Sequence, residues 1–434
     1  MPQTRLIYGL DERPPLARLC LYGLQWTLLT LPILTISTNL AAEFLGYQGS
    51  LRVALGQRFF VIIGLTMLLQ GLAGHRYPLV DGPAGALLLC LISLAPYGEA
   101  TVRGAMLLGG LGLALAAHLG LIRRLERLFS DNVVGGIILL LAFSLLAVNL
   151  RLLLGQDQAH PQGQPIVAGL ALGVMLLVPL LSHWTGGLIK TLSVLIALLA
   201  GSLAFGLLGR VDLSAVAASP WLACPGLAPV LAPRLSLAGL ISGGLANVVV
   251  LVNLIGSLAA VQQVVGGGDL DRRVRRSAAL TGWAGAVSGL AGTYGPVPYA
   301  YSPGVILSTG VGSRYTTVLA GGLIAGLGFL PKLAAILAAV PSAVVAGGLV
   351  AVLSGQVGSG IAVLTARGRS LGSRDYFVVG LPLLLGTLAS LLSRDFIALL
   401  PAWLGPLAGN GLVVGLVGLL LLEHLLLRPR PGRD

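Results

Sequence analysis

Two short stretches of this 434-residue chain combine the residue types that hold a polar solute inside an apolar protein. The first reads Arg76-Tyr77-Pro78-Leu79-Val80-Asp81-Gly82-Pro83-Ala84-Gly85-Ala86, and the second Tyr294-Gly295-Pro296-Val297-Pro298-Tyr299-Ala300-Tyr301-Ser302-Pro303-Gly304. Each opens with an extended, proline-interrupted run and continues as an apolar helical run. Pro83 and Pro303 suit the first helical position, where a missing N–H costs nothing, with Asp81 or Gly82 and Ser302 as caps. Two half-helices are therefore predicted, whose free N–H groups and partial positive charge near Ala84, Gly85 and Gly304 form a cradle for the polar edge of a planar solute or for an anion. Asp81 beside the first break has two open readings, a coupling residue for an ion or a cap on the following helix. Tyr299 and Tyr301 beside the second break suit either stacking on a planar ring or packing.

The elements that must position these residues lie in a membrane. Hydrophobic residues make up 56% of the chain and charged ones 10%, against about 25% charged in a soluble domain. Apolar runs such as Val133–Val148 and Ile166–Leu181 recur along the whole length, many approaching the ~20 residues that cross a bilayer. At that depth irregular backbone is tolerated only where it is buried in protein or lines a cavity, so a cavity between the two stretches is expected. The 62 glycines and 24 prolines fit helices that pack closely or break. Cys20, Cys90 and Cys224 fall in no C-x-x-C spacing, which predicts inert core thiols and no disulfide or metal site.

Apolar spans are read at 19–42, 54–73, 78–95, 104–122, 132–150, 165–182, 188–208, 237–262, 277–292, 298–311, 316–338, 341–364, 376–392 and 396–426. The net charge of +12 sits in loop clusters: Arg123, Arg124 and Arg127; Arg272, Arg273, Arg275 and Arg276; Arg367, Arg369 and Arg374; Arg428, Arg430 and Arg433. With a cytoplasmic amino terminus, 19 of the 27 Lys and Arg fall on the cytoplasmic side. This is the positive-inside pattern rather than a nucleic-acid surface. Both termini are expected in the cytoplasm, residues 1–18 form the N-terminal cytoplasmic segment, and Arg5, Asp11, Glu12 and Arg13 within it do not fit a cleaved signal peptide. The excess of Arg over Lys points to a GC-rich bacterial source and hence a bacterial inner membrane. Arg58 is expected to snorkel, and Glu43, His118, His183, Glu423 and His424 to sit at the interface.

The longest connection, 209–236, holds Pro220, Pro225, Pro229 and Pro233 and is read as extracytoplasmic. It separates seven segments (19–208) from seven more (237–426). An odd number per half makes the second half enter from the opposite side, an inverted repeat in which the third and tenth segments are equivalent.

At these residues the chain resembles the nucleobase–cation symporter family, the nucleobase/ascorbate transporters that include bacterial uracil and xanthine permeases. The resemblance runs from Tyr8-Gly9-Leu10-Asp11-Glu12-Arg13-Pro14-Pro15 through Tyr77–Pro83 to Thr309–Arg314, Gly326–Lys332, Val340-Pro341 and Gly347-Gly348. It implies an all-α fold of fourteen segments, a core domain (19–122 and 237–338) and a gate domain (132–208 and 341–426), a homodimer through the gate domain, and substrate between segments 3 and 10. This chain is a divergent member. Asn253 and Ser257 stand where the family usually has a glutamate and, four residues later, Asp or His. Pro303 replaces the glutamate of segment 10, Trp26 the histidine after Gln25, and Ala84-Gly85 a Ser-Phe pair.

The implied activity is secondary transport of a small solute, by default a nucleobase-like heterocycle, by alternating access, with no enzymatic function and no cofactor. A small-anion transporter on the same fold and a transport-inactive receptor or scaffold are the alternatives. Coupling to H+ or Na+ stays open because the glutamates are missing, with Asp81 the candidate. The expected contacts are Ala84, Gly85, Asn253, Ser257, Tyr301, Ser302, Pro303, Gly304 and Trp26. On this reading Asn253→Ala and Ser302→Ala weaken binding in a titration with little effect on folding, and unchanged affinity in both places the site elsewhere.

Overall fold

The computed structural model describes residues 6–156, 160–226, 232–401 and 403–428; Arg5, Pro229, Arg430 and Arg433 lie outside them. The described residues are mostly helical, joined by loops and turns, with two three-residue strands among them. In order come α1 (Leu16–Leu45), α2 (Gly49–Leu72), β1 (Asp81–Pro83), α3 (Gly85–Leu94), α4 (Glu99–His118), α5 (Asp131–Leu153), α6 (Pro165–Trp184), α7 (Ser193–Leu207), α8 (Leu237–Val265), α9 (Leu270–Leu290), β2 (Pro296–Pro298), α10 (Ser302–Thr309), α11 (Arg314–Leu327), α12 (Ser342–Leu364), α13 (Ser373–Ser390) and α14 (Gly411–Leu421). Among the described residues seven helices are individually long and apolar enough to cross a membrane, and α11 with its continuation Pro331–Ala338, bent by 90°, makes an eighth if the pair is one span.

Glycine and proline decide where the predicted spans break. The bend in the eleventh segment falls at Gly328–Pro331. The expected continuous span 396–426 instead begins as two short helices, Arg394–Ala398 and Gly405–Ala408, before α14. Pro401 cannot donate a helical N–H, and Pro406 is tolerated only in the first turn of its helix.

The packing repeats itself. α4 lies along α9, and α11 along α2; α8 packs on α4, and α1 on α11; α6 packs on α12, and α13 on α5; α13 meets α14, and α6 meets α7. Exchanging each helix for the one seven places away converts one member of every pair into the other. The α5–α12 pair and the antiparallel β1–β2 pair map onto themselves. That is an inverted repeat of seven and seven. The closest helix contacts obey it too: a Cβ on Gly110 of α4 would lie 2.4 Å from the Ala286 nitrogen of α9, and one on Gly64 of α2 2.3 Å from the Ala325 nitrogen of α11. Without a hydrophobic drive between helices in lipid, such close backbone approach supplies the dispersion contacts. α1–α4 and α8–α11 pack as one group, α5–α7 and α12–α14 as another; α1 touches α12 and α7, α3 touches α5, and α8 touches α14.

Several polar residues lie elsewhere than expected. Arg58 does not snorkel; it is buried and donates to the Ala291 carbonyl at the end of α9, 3.0 Å away. Glu423 is buried in a network at the ends of three helices, accepting from Ser130 at 2.7 Å and from Arg374 at 2.8 Å. Of the three thiols only Cys90 is in the core; Cys20 and Cys224 are exposed. The N-terminal strap is anchored: Ile7 donates to the Gly310 carbonyl at 2.7 Å, and Arg314 pairs with Asp11 at 2.7 Å.

The glycine contacts give a direct test. Gly110→Val should lower stability by about 1–3 kcal/mol through overpacking, read as a lower melting temperature in detergent. Gly112→Ala, where a Cβ meets nothing within 4 Å, should leave melting unchanged or raise it slightly. Equal losses in both would refute the close-packing account.

Candidate functional site

The two broken segments meet each other. β1 and β2 run antiparallel with Asp81 opposite Pro298, Gly82 opposite Val297 and Pro83 opposite Pro296. Three of these six residues are prolines and donate nothing, so this ladder alone is weak. Neighbouring groups complete it. The Tyr299 N–H donates to the Val80 carbonyl at 2.8 Å and the Ala84 N–H to the Gly295 carbonyl at 2.9 Å. The Ser302 hydroxyl accepts from the Val80 N–H at 3.2 Å and donates to the Tyr299 carbonyl at 3.1 Å. Ser257 of α8 donates to the Pro298 carbonyl at 3.0 Å, and the Tyr299 hydroxyl to the Pro83 carbonyl at 2.6 Å. The Tyr299 ring lies so close on β1 that a Cβ on Gly82 would sit 2.1 Å from it.

Sequence reasoning made the two half-helix ends equivalent, and they are not. Pro83 is a strand residue rather than the first helical one; α3 starts at Gly85 with Ala84 in the N-cap place and no side-chain cap. Neither Asp81 nor Gly82 caps it. Pro303 is in the first turn of α10 as predicted, with Tyr301 rather than Ser302 at the N-cap. The Ala84 amide is taken by the ladder, and the Gly304 amide by the Tyr301 carbonyl at 3.0 Å. Among the described residues, nothing accepts from the amides of Gly85 and Ala86. The open positive end is therefore that of α3.

The other predicted contacts divide into two kinds. Ser257 and Ser302 are buried and hold the strands, so their hydroxyls are already committed. Trp26 is 3% exposed with its indole N–H on Thr316 at 3.1 Å, a packing role inside the first helix group. Tyr301 stacks on Tyr299, ring centres 5.7 Å apart, and its buried hydroxyl has no hydrogen-bond partner among the described residues. Asn253 is half-buried on α8; its Oδ1 lies 3.4 Å from the Ser257 hydroxyl, and its amide N–H2 makes no hydrogen bond among the described residues. Gly304 is exposed, with open space where a Cβ would be. Asn253, Gly85, Ala86 and the Tyr301 hydroxyl are thus donors without a partner near the strand crossing among the described residues.

Leucines of the second helix group approach the crossing, where Gly85, Asn253 and Gly304 keep part of their surface exposed. A Cβ on Gly85 would lie 3.3 Å from Leu145 and 3.8 Å from Leu141, both on α5 of the second helix group. Two clefts of about 500 and 440 Å3 lie elsewhere, one at Arg123, Glu126 and Arg272 and the other at Glu43, Arg52 and Arg210. One residue was missed by sequence reasoning: His75 is fully buried, with its Nε2 3.7 Å from Asp81. Its signal was a titratable side chain six residues before Asp81 at the mouth of a broken segment.

The comparisons agree with this architecture. A putative purine permease of Clostridium perfringens is 26% identical over 429 residues, covering 98% of this chain and 94% of that protein. The uric acid permease PucJ of Bacillus subtilis is 26% identical over 312 residues, 70% of this chain and 69% of its own. The transmembrane domain of a cyanobacterial bicarbonate transporter, BicA, superposes with a TM-score of 0.63 at 16% identity, over 85% of this chain and 95% of that one, which shows a shared fold. Residues 17–394 match the Permease family (Xan_ur_permease); with these helices and this broken-strand crossing, the chain belongs to that family and is a multi-pass membrane transporter.

Proposed function

We propose that this permease carries an oxopurine, of the uric acid or xanthine type, across the membrane by alternating access. The observation that carries the reading is the set of unspent donors on elements that pack together: the Gly85 and Ala86 amides at the positive end of α3, and the Asn253 carboxamide on α8, which packs against α3 and β2. Purine carbonyl oxygens are acceptors that suit these amides, and Asn253 both donates and accepts, matching the N–H and C=O edge of the ring. No carboxylate is required at positions 253 or 303. The relatives named for purine and uric acid transport support this choice over a small anion.

In this reading the helix group carrying the strands is the core, and the group of α5–α7 and α12–α14 is the gate. Access needs Leu141 and Leu145 to withdraw from Gly85, a displacement of one group against the other. The groups are hydrogen-bonded through Ser342 to Glu43 and Asn410 to Ser93, both at 3.0 Å, on the side assigned as extracytoplasmic. These contacts join the two groups on that side. The chain lies in a bacterial inner membrane with both termini in the cytoplasm, acts as a transporter rather than an enzyme, and needs no cofactor. The gate helix α6, with only 22% of its apolar window buried, faces lipid or the second copy of a homodimer.

Ligand-dependent thermal stabilisation tests the substrate. Xanthine or uric acid should raise the melting temperature of the purified protein by mass action, while bicarbonate and sulfate should not; a shift with anions alone refutes the purine reading. Asn253→Ala should weaken purine binding about tenfold, about 1.4 kcal/mol, with the unliganded melting temperature unchanged. Ser302→Ala should show the opposite signature: it leaves the Val80 N–H unpaired in the interior, at a cost of about 1–3 kcal/mol in stability. Wild-type stability in Ser302→Ala would contradict the role given to that hydroxyl.

A further inference from the structure

The larger of the two clefts takes no part in the strand crossing. It measures about 500 Å3 and lies between the turn that follows α4 and the first turns of α9, with Arg123, Glu126, Asp271, Arg272 and Arg275 in its lining. Asp269, also there, caps α9 by accepting the Arg272 backbone N–H at 3.1 Å. Among the described residues, the side chains of the other five make no hydrogen bond or ion pair. Each sign is crowded by its own kind. Partial burial, then the charge of Asp271, push Glu126 above the usual carboxylate range, against the pull of Arg123. Along α9, the charge of Arg272 is the main cause that lowers Arg276, and Arg76, Arg275 and Arg273 add to it. A cation beside the two carboxylates and an anion beside the arginines would relieve both.

The depth of the cleft narrows the choice of ligand. α4 has 20 residues, about 30 Å at 1.5 Å per residue, which matches the hydrocarbon core of a bilayer. The cleft begins two residues beyond the end of α4, at Gly120, and so sits at the level of lipid head groups. Leu111, Leu115 and Leu119 form an exposed stripe along α4 that leads to it. Trp283 and Val287 of α9 are exposed as well, and the Trp283 indole N–H meets His118 at the end of α4, 3.2 Å away. In a membrane this face touches acyl chains, and the charged cleft lies where those chains end.

We propose that this cleft binds the head group of a phospholipid that carries a primary ammonium, the phosphatidylethanolamine type. The phosphate lies against Arg123, Arg272 and Arg275, the ammonium donates to Glu126 and Asp271, and the acyl chains follow the exposed leucines of α4. A purely anionic head group would satisfy the arginines and leave both carboxylates unpaired. A choline head group carries the positive charge but has no N–H to donate. The arginines therefore supply affinity for phosphate, and the carboxylates set the preference for an ammonium. The site does not depend on which solute the protein transports.

Lipid titration of the delipidated protein in detergent, read by its melting temperature, tests the site. Dioleoylphosphatidylethanolamine should stabilise at a concentration about tenfold lower than phosphatidylcholine or phosphatidylglycerol with the same chains, and inorganic phosphate should give no shift. Arg272→Gln with Arg275→Gln should weaken stabilisation by all three lipids. Glu126→Gln with Asp271→Asn should abolish the preference and leave phosphatidylglycerol binding at least as tight. Equal stabilisation of the wild type by the three lipids, a preference that the carboxylate variant retains, or a shift with inorganic phosphate alone overturns the proposal. Where the double variant does not fold, Asp271→Asn by itself, at an exposed position, decides in the same way.

Discussion

The structure depends on one constraint: backbone that is not helical must find all its hydrogen bonds inside the protein when it lies within lipid. Two segments break at prolines, and each break leaves carbonyls without helical donors. The only economical solution is for the breaks to satisfy each other. β1 and β2 do so as a short antiparallel pair, supplemented by the hydroxyls of Ser257, Tyr299 and Ser302. An antiparallel pair is its own partner under a twofold exchange, which fits the inverted order of the two halves.

Around that crossing, close glycine contacts between α4 and α9 and between α2 and α11 fix the first helix group as a dense frame. Contacts between the two groups are fewer and include side-chain hydrogen bonds such as Ser342 to Glu43. A rigid frame holding the strands, beside a group that is less tightly joined to it, is an arrangement in which relative motion costs little compared with unfolding either part. Satisfying the strands leaves little to spare for a solute. What is left over is uneven: the α10 end is internally satisfied, while the α3 end keeps two free amides.

Much of this was legible in the sequence. Apolar spans, clustered arginines and the odd count per half gave the membrane class and the repeat. The runs Tyr77–Gly85 and Tyr294–Gly304 located the crossing, because proline and glycine act on the chain locally. What stayed hidden depends on partners distant in sequence. Pro83 reads as a helix start until β2 is placed beside it. Ser302 reads as a cap until Val80 arrives 222 residues away in the chain to claim its oxygen. Arg58 reads as snorkelling, and the network around Glu423 stays unseen, for the same reason, since the Ala291 carbonyl and Ser130 come from other helices. His75, six residues before Asp81, is marked by its spacing, but its burial against Asp81 follows only from the fold.

The most direct measurement is the structure of the protein with xanthine or uric acid bound. The account predicts a ring carbonyl within about 3 Å of the Gly85 or Ala86 amide, the Asn253 carboxamide on the same ring, and Leu141 and Leu145 withdrawn from Gly85. A purine seated instead in the cleft at Arg123 and Arg272, or at Glu43 and Arg52, with Leu145 still against Gly85, would contradict it.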